Sequence, residues 1–363
     1  MFLHGIFPPI TTPFYPDGRV YHKKLESNVE RYSRPPVAGI VVQGSTGEAI
    51  LLSDEERREV LKTAIAAAAP NKVMIAGTGI ESAIETLRLC DYAAELGYDA
   101  AMVRTPHYYK KQMHPANLLA FYRTIADRSP LPLVIYNFPQ ATGYDIPAEV
   151  VIELADHPNI AAIKESSGNL EKVKKMVDGT KHVKRQATVT ETFEAVTPRM
   201  VKAAAAEATK ESRELVTVEA LAGTSAAERR PPSPSSSAVT VVGKLKTRQK
   251  EVGFQVMVGA AHQLEPSLGM GAVGAILAFA SPAPTACYEI YAALKEGDTA
   301  LAREKQERVK LAAQRVVSEL GVPGVKYAMD LNGYYGGPSR LPFLPLTADQ
   351  KVEIDKLMAG IKS

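Results

Sequence analysis

The stretch NIAAIKESSG, residues 159–168, begins as an apolar run typical of a strand buried on both faces and then places Lys164 where another Ile or Val would fit. An unpaired ammonium in a dry site costs far more free energy than its methylene stem recovers, so such lysines are rare without a partner or a chemical task. Taken alone, the pattern also allows Lys164 to reach the surface or to pair with Glu165. The rest of the sequence favours a chemical task for Lys164.

Apolar runs of the same kind recur along the chain, and each is followed by helical signals. Ser53 and Glu56, for example, have the spacing of a capping box at a helix start. Eight continuous apolar runs alternating with helices predict a (β/α)8 TIM barrel. The alternative, a doubly wound open sheet, lacks the G-x-G-x-x-G motif after its first strand. The runs cover residues 5–14, 39–46, 73–79, 100–106, 131–139, 160–167, 254–261 and 272–280.

One interval interrupts this rhythm, because the sixth run starts at residue 160 and the seventh only at residue 254. Residues 181–250 carry 13 Lys and Arg against 7 Asp and Glu, a possible amphipathic helix and the polar tract PPSPSSS. We expect a largely disordered or loosely attached insertion there, either genuine or a translated intervening sequence. The prediction is a catalytic barrel over 1–281, interrupted by 181–250, with a C-terminal helical region over 282–363.

The composition is that of an ordinary globular protein, with 363 residues, 45% of them hydrophobic and 23% charged. Cys90 and Cys287 lie far apart, and the seven histidines have no metal-ligand spacing, so we expect no disulfide, metal or cofactor. No apolar run is long enough to span a membrane, and the N-terminus lacks a signal or transit pattern. We therefore predict a cytoplasmic protein that binds a small molecule and neither nucleic acid nor membrane.

Polar residues cluster at the predicted carboxyl ends of the strands, which in such a barrel meet at one mouth where chemistry takes place. A lysine in that mouth is desolvated, so its pKa falls and its neutral amine can attack a carbonyl group. For Lys164 we expect a protonated imine that acts as an electron sink while a carbon–carbon bond breaks. The clusters are GSTGE, TPHYY, YNFP, KESS and VGAA, after the second, fourth, fifth, sixth and seventh strands.

Three of these motifs resemble the signatures of the dihydrodipicolinate synthase and N-acetylneuraminate lyase superfamily: GSTGE at 44–48, YNFP at 136–139 and IKESSG at 163–168. The similarity extends from about residue 5 to residue 346, apart from the insertion. The sequence GYYGGPSRLPFLPL at 333–346 is especially similar to eukaryotic 4-hydroxy-2-oxoglutarate aldolase. The resemblance implies a pyruvate-dependent class I aldolase on a (β/α)8 barrel, commonly a homotetramer built as a dimer of dimers.

The resemblance also implies roles for individual residues. Lys164 would form the imine with pyruvate. Tyr136 would shuttle protons, a role that suits a phenol whose pKa the site shifts toward neutrality. Tyr108 would reach the neighbouring subunit's site across a dimer interface. Ser45 and Thr46 would bind the carboxylate of pyruvate. The remaining positions that match substrate-contacting or site-lining residues of the family are Gly44, Gly47, Ser166, Gly259 and Ile276.

One departure from the family pattern bears on the substrate. Dihydrodipicolinate synthases carry an arginine two residues after the YN-x-P motif that binds the second substrate's carboxylate, whereas this chain has Ala141. Our first expectation is therefore cleavage of 4-hydroxy-2-oxoglutarate to pyruvate and glyoxylate, and the second is cleavage of a 2-keto-3-deoxy sugar acid to pyruvate and a triose. Synthase-like or dehydratase activity, and an inactive barrel that binds partners, are the alternatives. Arg104 and Arg340 are candidates for contacting a distal carboxylate.

Overall fold

The computed structural model describes residues 1–219, 240–242 and 245–361. The strands in this part of the chain are β1 (Gly5–Phe7), β2 (Gly39–Val42), β3 (Val73–Gly77), β4 (Ala100–Arg104), β5 (Leu133–Asn137), β6 (Ile160–Glu165), β7 (Arg185–Thr190), β8 (Thr240–Val242), β9 (Leu245–Val252), β10 (Gln255–Val258) and β11 (Gly274–Ile276). The helices are α1 (His22–Tyr32), α2 (Asp54–Ala67), α3 (Ala83–Leu96), α4 (Pro115–Arg128), α5 (Pro139–Thr142), α6 (Ala148–Ala155), α7 (Leu170–Gly179), α8 (Pro198–Glu219), α9 (Leu264–Gly269), α10 (Pro284–Lys295), α11 (Thr299–Ala313), α12 (Gly321–Leu331) and α13 (Ala348–Met358).

Eight parallel strands form the central sheet, in the order β1-β11-β10-β6-β5-β4-β3-β2. Its two edges meet where the Ile10 N–H donates to the Val41 carbonyl at 2.9 Å and the Val41 N–H donates to the Pro8 carbonyl at 3.0 Å. The sheet therefore closes into a barrel. Each of the eight predicted runs contributes one strand, so the predicted (β/α)8 barrel with C-terminal helices is confirmed.

The continuous apolar pattern of the strands follows from burial on both faces. All six residues of β6 are buried. Ala162 packs with the cluster inside the barrel, whereas its neighbour Ile163 packs with the larger cluster between the strands and the surrounding helices. Because side chains alternate between the two faces of a strand, Lys164 points to the same side as Ala162, into the barrel.

The ends of the 181–250 interval are folded, which corrects the prediction of a largely disordered or loosely attached segment for these ends. β7 pairs antiparallel with β9, and β9 with β8. The Arg185 guanidinium donates to the carbonyls of Ile160 and His157 at 2.6 and 2.8 Å, next to the start of β6. Met200 packs on the cluster inside the barrel. The composition of this mainly polar segment does not reveal these contacts, because only a few of its residues make them.

The interval therefore attaches at the amino-terminal ends of the barrel strands, where a further guanidinium, that of Arg199, donates to the Ala69 carbonyl at 3.3 Å. This is the end of the barrel opposite the mouth in which β6 finishes. The PPSPSSS tract lies at 231–237, outside the described residues. We propose the same domain division as the one drawn from the sequence, with a barrel over 1–281 that is interrupted by 181–250, and a helical region over 282–363.

The C-terminal helices pack beside the barrel and over part of its mouth. Tyr334, after α12, stacks on Tyr32 of α1 with ring centroids 4.4 Å apart. Val322 and Val325 of α12 line the cavity in the mouth. Within the described residues, no helix is both long and apolar enough to cross a membrane.

Candidate active site

Lys164 lies near the carboxyl end of β6, with 4% of its surface exposed. Its ammonium forms no ion pair with any described residue, and burial lowers its pKa to about 7. The neighbouring carboxylate of Glu165 points the other way. It accepts the Ser167 N–H at 2.6 Å and forms an ion pair with Lys172 at 3.1 Å. Lys164 therefore neither reaches the surface nor pairs with Glu165, and its amine exchanges its proton near neutral pH.

Tyr136 of β5 lies beside Lys164, because the two residues are register partners across neighbouring strands. The Lys164 nitrogen is 4.0 Å from the centre of the Tyr136 ring. The phenol oxygen is 3.2 Å from Ser45 Oγ. Burial raises the pKa of Tyr136 to about 12, so the expected shift toward neutrality is wrong. The phenol keeps its proton and can exchange it along the contact with Ser45 rather than act as a free phenolate.

The GSTGE loop after β2 brings Ser45 to this position. Residues Ser45–Gly47 form one short turn, and Glu48 follows with a left-handed backbone. The loop is fixed from behind, since Thr12 Oγ1 donates to the Gly47 carbonyl at 2.6 Å and Glu48 forms an ion pair with Lys326 at 2.5 Å. Of the predicted loop residues, Gly44, Ser45 and Thr46 line the cavity. Gly47 packs behind them, where a Cβ would lie 3.0 Å from the Ile10 carbonyl oxygen.

Ser166 and Gly259 lie together on the neighbouring wall of the cavity. A Cβ at Gly259 would come within 1.9 Å of Ser166 Oγ, so only glycine leaves room for this hydroxyl. Ile276 is also buried, but it belongs to the apolar cluster inside the barrel that includes Tyr136 and does not line the cavity. It therefore supports the floor of the site.

Tyr108 is the predicted residue that the structure does not bring to Lys164. Its surface is 76% exposed, and its ring makes an edge contact with Tyr109 at 5.0 Å between centroids. The Tyr108 N–H donates to Glu81 at 3.2 Å, which holds the backbone of this loop. Tyr108 does not line the cavity of its own chain. Its role in a partner's site stays a prediction.

The cavity at the barrel mouth has a volume of about 450 Å³. It includes Ala141, at the position that carries arginine in the synthases, and Arg104. Arg340 does not line it. Its guanidinium donates to Glu56 at 2.7 Å and to the Gly18 carbonyl at 2.9 Å, so its proposed contact with substrate is wrong.

Several cavity residues were not predicted from the sequence, and most of them lie on helices or loops outside the three motifs. Phe138 lies within the YNFP motif but was given no role. The cationic or imidazole side chains among the unpredicted residues are Arg57, His107 and His262, and the apolar ones include Phe138, Val322, Val325 and Phe343. Arg57 belongs to the helix whose capping box the sequence identified, but helical periodicity alone does not say that this residue faces a cavity. Over the part of the chain that the structure describes, no three His, Cys, Asp or Glu side chains converge as a metal site would require.

Comparison with known proteins gives a consistent result. The model of the Dihydrodipicolinate synthetase family matches residues 2–219 and 236–361. A 4-hydroxy-tetrahydrodipicolinate synthase from Methanococcoides burtonii is 28% identical over 356 residues, covering 98% of this chain and 96% of that protein. One from Methanosarcina barkeri is 41% identical over 177 residues, covering 48% of this chain and 59% of that protein. A prophage protein of the dihydrodipicolinic acid synthase family from E. coli K12, solved in complex with pyruvate, has a TM-score of 0.74 at 23% identity, with 99% of each chain covered.

The two relatives carry the synthase name and do not support the narrower resemblance to eukaryotic 4-hydroxy-2-oxoglutarate aldolase. The unmatched residues between 219 and 236 fall within the interval that interrupts the strand rhythm. The family match covers the strands, the mouth and the C-terminal helices described above. This chain therefore belongs to the dihydrodipicolinate synthetase family of lyases.

Proposed function

We propose that this protein is a class I aldolase in which Lys164 forms an imine with the C2 carbonyl of a 2-oxo acid such as pyruvate. The observation that carries the proposal is the buried Lys164 amine, whose pKa is about 7 and which lies beside the Tyr136 ring. A neutral amine is the form that attacks a carbonyl carbon. Among the described residues no carboxylate forms an ion pair with it that would hold the proton in place.

The side chains around Lys164 support the following steps for a 4-hydroxy-2-oxo acid. The amine adds to C2, water leaves, and the protonated imine forms. The C3–C4 bond then breaks, and its electron pair moves toward the imine nitrogen. The C4 hydroxyl proton passes to the Tyr136 oxygen, the phenol proton passes to Ser45, and Ser45 releases its own hydroxyl proton to solvent, which later supplies the proton for C3. Protonation of C3 and addition of water release pyruvate and return the free amine. Thr46 and the backbone of the GSTGE loop bind the C1 carboxylate.

The first candidate substrate is 4-hydroxy-2-oxoglutarate, cleaved to pyruvate and glyoxylate, because Ala141 removes the arginine that serves the second substrate of the synthases. A 2-keto-3-deoxy sugar acid is the second candidate. The relatives named as synthases favour a third, condensation of pyruvate with an aldehyde, through the same imine. A hydratase or dehydratase would also use this imine.

The test is reduction with borohydride in the presence of pyruvate, followed by digestion and mass analysis of the peptide that carries Lys164. We expect a pyruvate-derived mass addition on Lys164, and none without pyruvate or in Lys164→Arg. Coupled assay of pyruvate release from the candidate substrates then identifies the reaction. If pyruvate gives no adduct, the aldolase proposal fails and an inactive barrel that binds partners is the remaining interpretation.

We also propose a homo-oligomer, a dimer of dimers, in which Tyr108 completes the partner's proton relay. The exposed Tyr108 and Tyr109 rings support this arrangement. Mixing Lys164→Arg subunits with Tyr108→Phe subunits tests it. Mixed dimers would regain activity, because one of their two sites combines an intact Lys164 with an intact Tyr108 from the partner. No recovery after subunit exchange would exclude the shared site.

A further inference from the structure

One wall of the cavity carries two arginines, Arg57 and Arg104. Arg104 is the last residue of β4 and the register partner of Tyr136, which is in turn the register partner of Lys164. Met102, two residues before Arg104, packs inside the barrel, so Arg104 faces inward as well. The three side chains form one layer across neighbouring strands. Since strands lie about 4.8 Å apart, the backbones of Arg104 and Lys164 are about 10 Å apart.

The backbone makes room for the Arg104 side chain. A Cβ at Gly79, after β3, would lie 2.4 Å from the Arg104 nitrogen and 3.0 Å from its Cγ. One guanidinium nitrogen of Arg104 binds Glu81 at 3.0 Å and His107 Nδ1 at 2.7 Å. The other two guanidinium nitrogens have no hydrogen-bond partner among the described residues. The Arg104 side chain is 19% exposed, so these two nitrogens have little contact with bulk water.

Arg57 brings a second positive charge to the same wall. Its Nε donates to the Leu52 carbonyl at 3.3 Å, and it has no ion pair with a described carboxylate. Burial lowers the pKa of Arg57, the charge of Asp54 opposes this fall, and the charge of Arg104 adds to it. Glu81 balances one of these two cations. Glu81 does not itself line the cavity. The carboxylate of Glu48, which does, is balanced by Lys326. Arg57 therefore has a nearby carboxylate but no direct ion pair among the described residues, and a cationic wall of this kind favours an anionic ligand.

We propose that Arg57 and Arg104 bind the distal carboxylate of a dicarboxylic 2-oxo acid whose C2 is attached to Lys164. The proposal rests on the proposed function, because the imine fixes one end of the substrate. Three carbon–carbon bonds of about 1.5 Å separate C2 from C5 of a five-carbon acid. With a charge-assisted hydrogen bond of about 2.8 Å at the far end, the substrate fits between Lys164 and Arg104. The two arginines are then specificity residues, at a different position from Ala141.

The experiment compares two five-carbon ligands, 2-oxoglutarate and 2-oxopentanoate, which differ in the distal carboxylate. Borohydride trapping on Lys164 gives the concentration of each that half-saturates the site. In the unaltered protein we expect 2-oxoglutarate to half-saturate at a concentration about 10- to 100-fold lower, as a hydrogen-bonded charge is worth that factor. Arg57→Gln and Arg104→Gln should each reduce this preference several-fold, while the half-saturating concentration of 2-oxopentanoate stays the same.

Arg58→Gln is the matched control, since the neighbouring guanidinium lies over the Tyr92 ring at 4.7 Å, away from the cavity. It should keep the preference for 2-oxoglutarate. If Arg104→Gln disturbs folding, as thermal unfolding would reveal, Arg57→Gln decides by itself. Equal half-saturation by the two ligands in the unaltered protein, or an unchanged preference in Arg57→Gln, overturns the inference. Failure of pyruvate to form any adduct instead overturns the proposed function, so the two failures are distinguishable.

Discussion

Two buried lysines, Lys164 in β6 and Lys326 in α12, differ in what surrounds the ammonium. They are 4% and 1% exposed and lie 4.0 and 4.5 Å from the centres of the Tyr136 and Phe14 rings. Burial lowers the pKa of both. Lys326 forms an ion pair with Glu48 at 2.5 Å, whose charge opposes the fall in its pKa. Lys164 has no such partner among the described residues.

The contrast shows that burial alone does not make a lysine reactive. Lys326 also donates to the carbonyls of Thr12 and Pro338 at 2.9 and 2.8 Å, so its charge is satisfied and its position fixed. A buried cation that has an ion pair and hydrogen bonds holds parts of a structure together. A buried lysine without them, next to a cavity, can lose its proton and attack a ligand. The two lysines are connected through one loop, because Glu48 ends the segment that places Ser45 next to Tyr136.

The largest expected effect comes from replacing Lys164, the buried lysine that has no ion-pair partner among the described residues. Lys164→Met should lower kcat/KM for cleavage by about four orders of magnitude or more, because no other amine can form the imine. Its stability should stay equal or rise, since an unpaired buried amine is replaced by an apolar side chain of similar length. Steady-state kinetics measure the loss of kcat/KM, and thermal unfolding measures the change in stability. Retained cleavage in this variant would contradict the assigned role.

Tyr136→Phe tests whether the residue next to Lys164 moves protons or only packs. We expect kcat to fall about 10²- to 10⁴-fold, the usual contribution of a positioned acid–base group, because the relay to Ser45 loses its oxygen. Pyruvate should still be trapped on Lys164 in this variant. A loss of trapping equal to the loss of cleavage would indicate that the phenol mainly shapes the site.

Lys326→Met tests the structural lysine. It leaves Glu48 buried without its cation, and we expect a loss of about 3–5 kcal/mol in the free energy of unfolding. Denaturant titration measures this loss. The double variant Lys326→Met with Glu48→Gln should recover part of it, because no unpaired charge remains. A single variant as stable as the unaltered protein would show that the pair is not needed for folding.

The smallest expected effect is the pH dependence of the reaction of Lys164 with pyruvate. With a pKa of about 7, the neutral fraction of Lys164 rises from about one tenth at pH 6 to about nine tenths at pH 8. The initial rate of pyruvate trapping should therefore rise about tenfold across this range and then level off, because only the neutral amine attacks. Trapping by cyanoborohydride at fixed pyruvate, corrected for the pH dependence of the reagent, measures this rate. A rate that keeps rising past pH 9 would indicate a solvated lysine.

The sequence predicted the barrel and most of the residues that meet at its mouth. Strands covered on both faces leave continuous apolar runs, and the residues that follow them, Ser45, Tyr136 and Lys164, come together because parallel strands end at one mouth. It did not predict the attachment of the 181–250 interval or the place of Arg57 in the cavity wall, since both depend on contacts between segments far apart in the chain. Arg340 was a candidate for contacting a distal carboxylate of the substrate and instead binds Glu56.

The sequence by itself therefore determined that a lysine ends a buried strand among polar motifs, and that eight such strands alternate with helices. Only the tertiary structure decided that Lys164 has no counter-ion among the described residues while Lys326 has one, and that the pKa of Tyr136 rises rather than falls. The physical reason is that desolvation and charge pairing are set by atoms brought in from other strands and helices. The local sequence determines which ionisable side chain is present, and the residues packed around that side chain determine its pKa and therefore its charge.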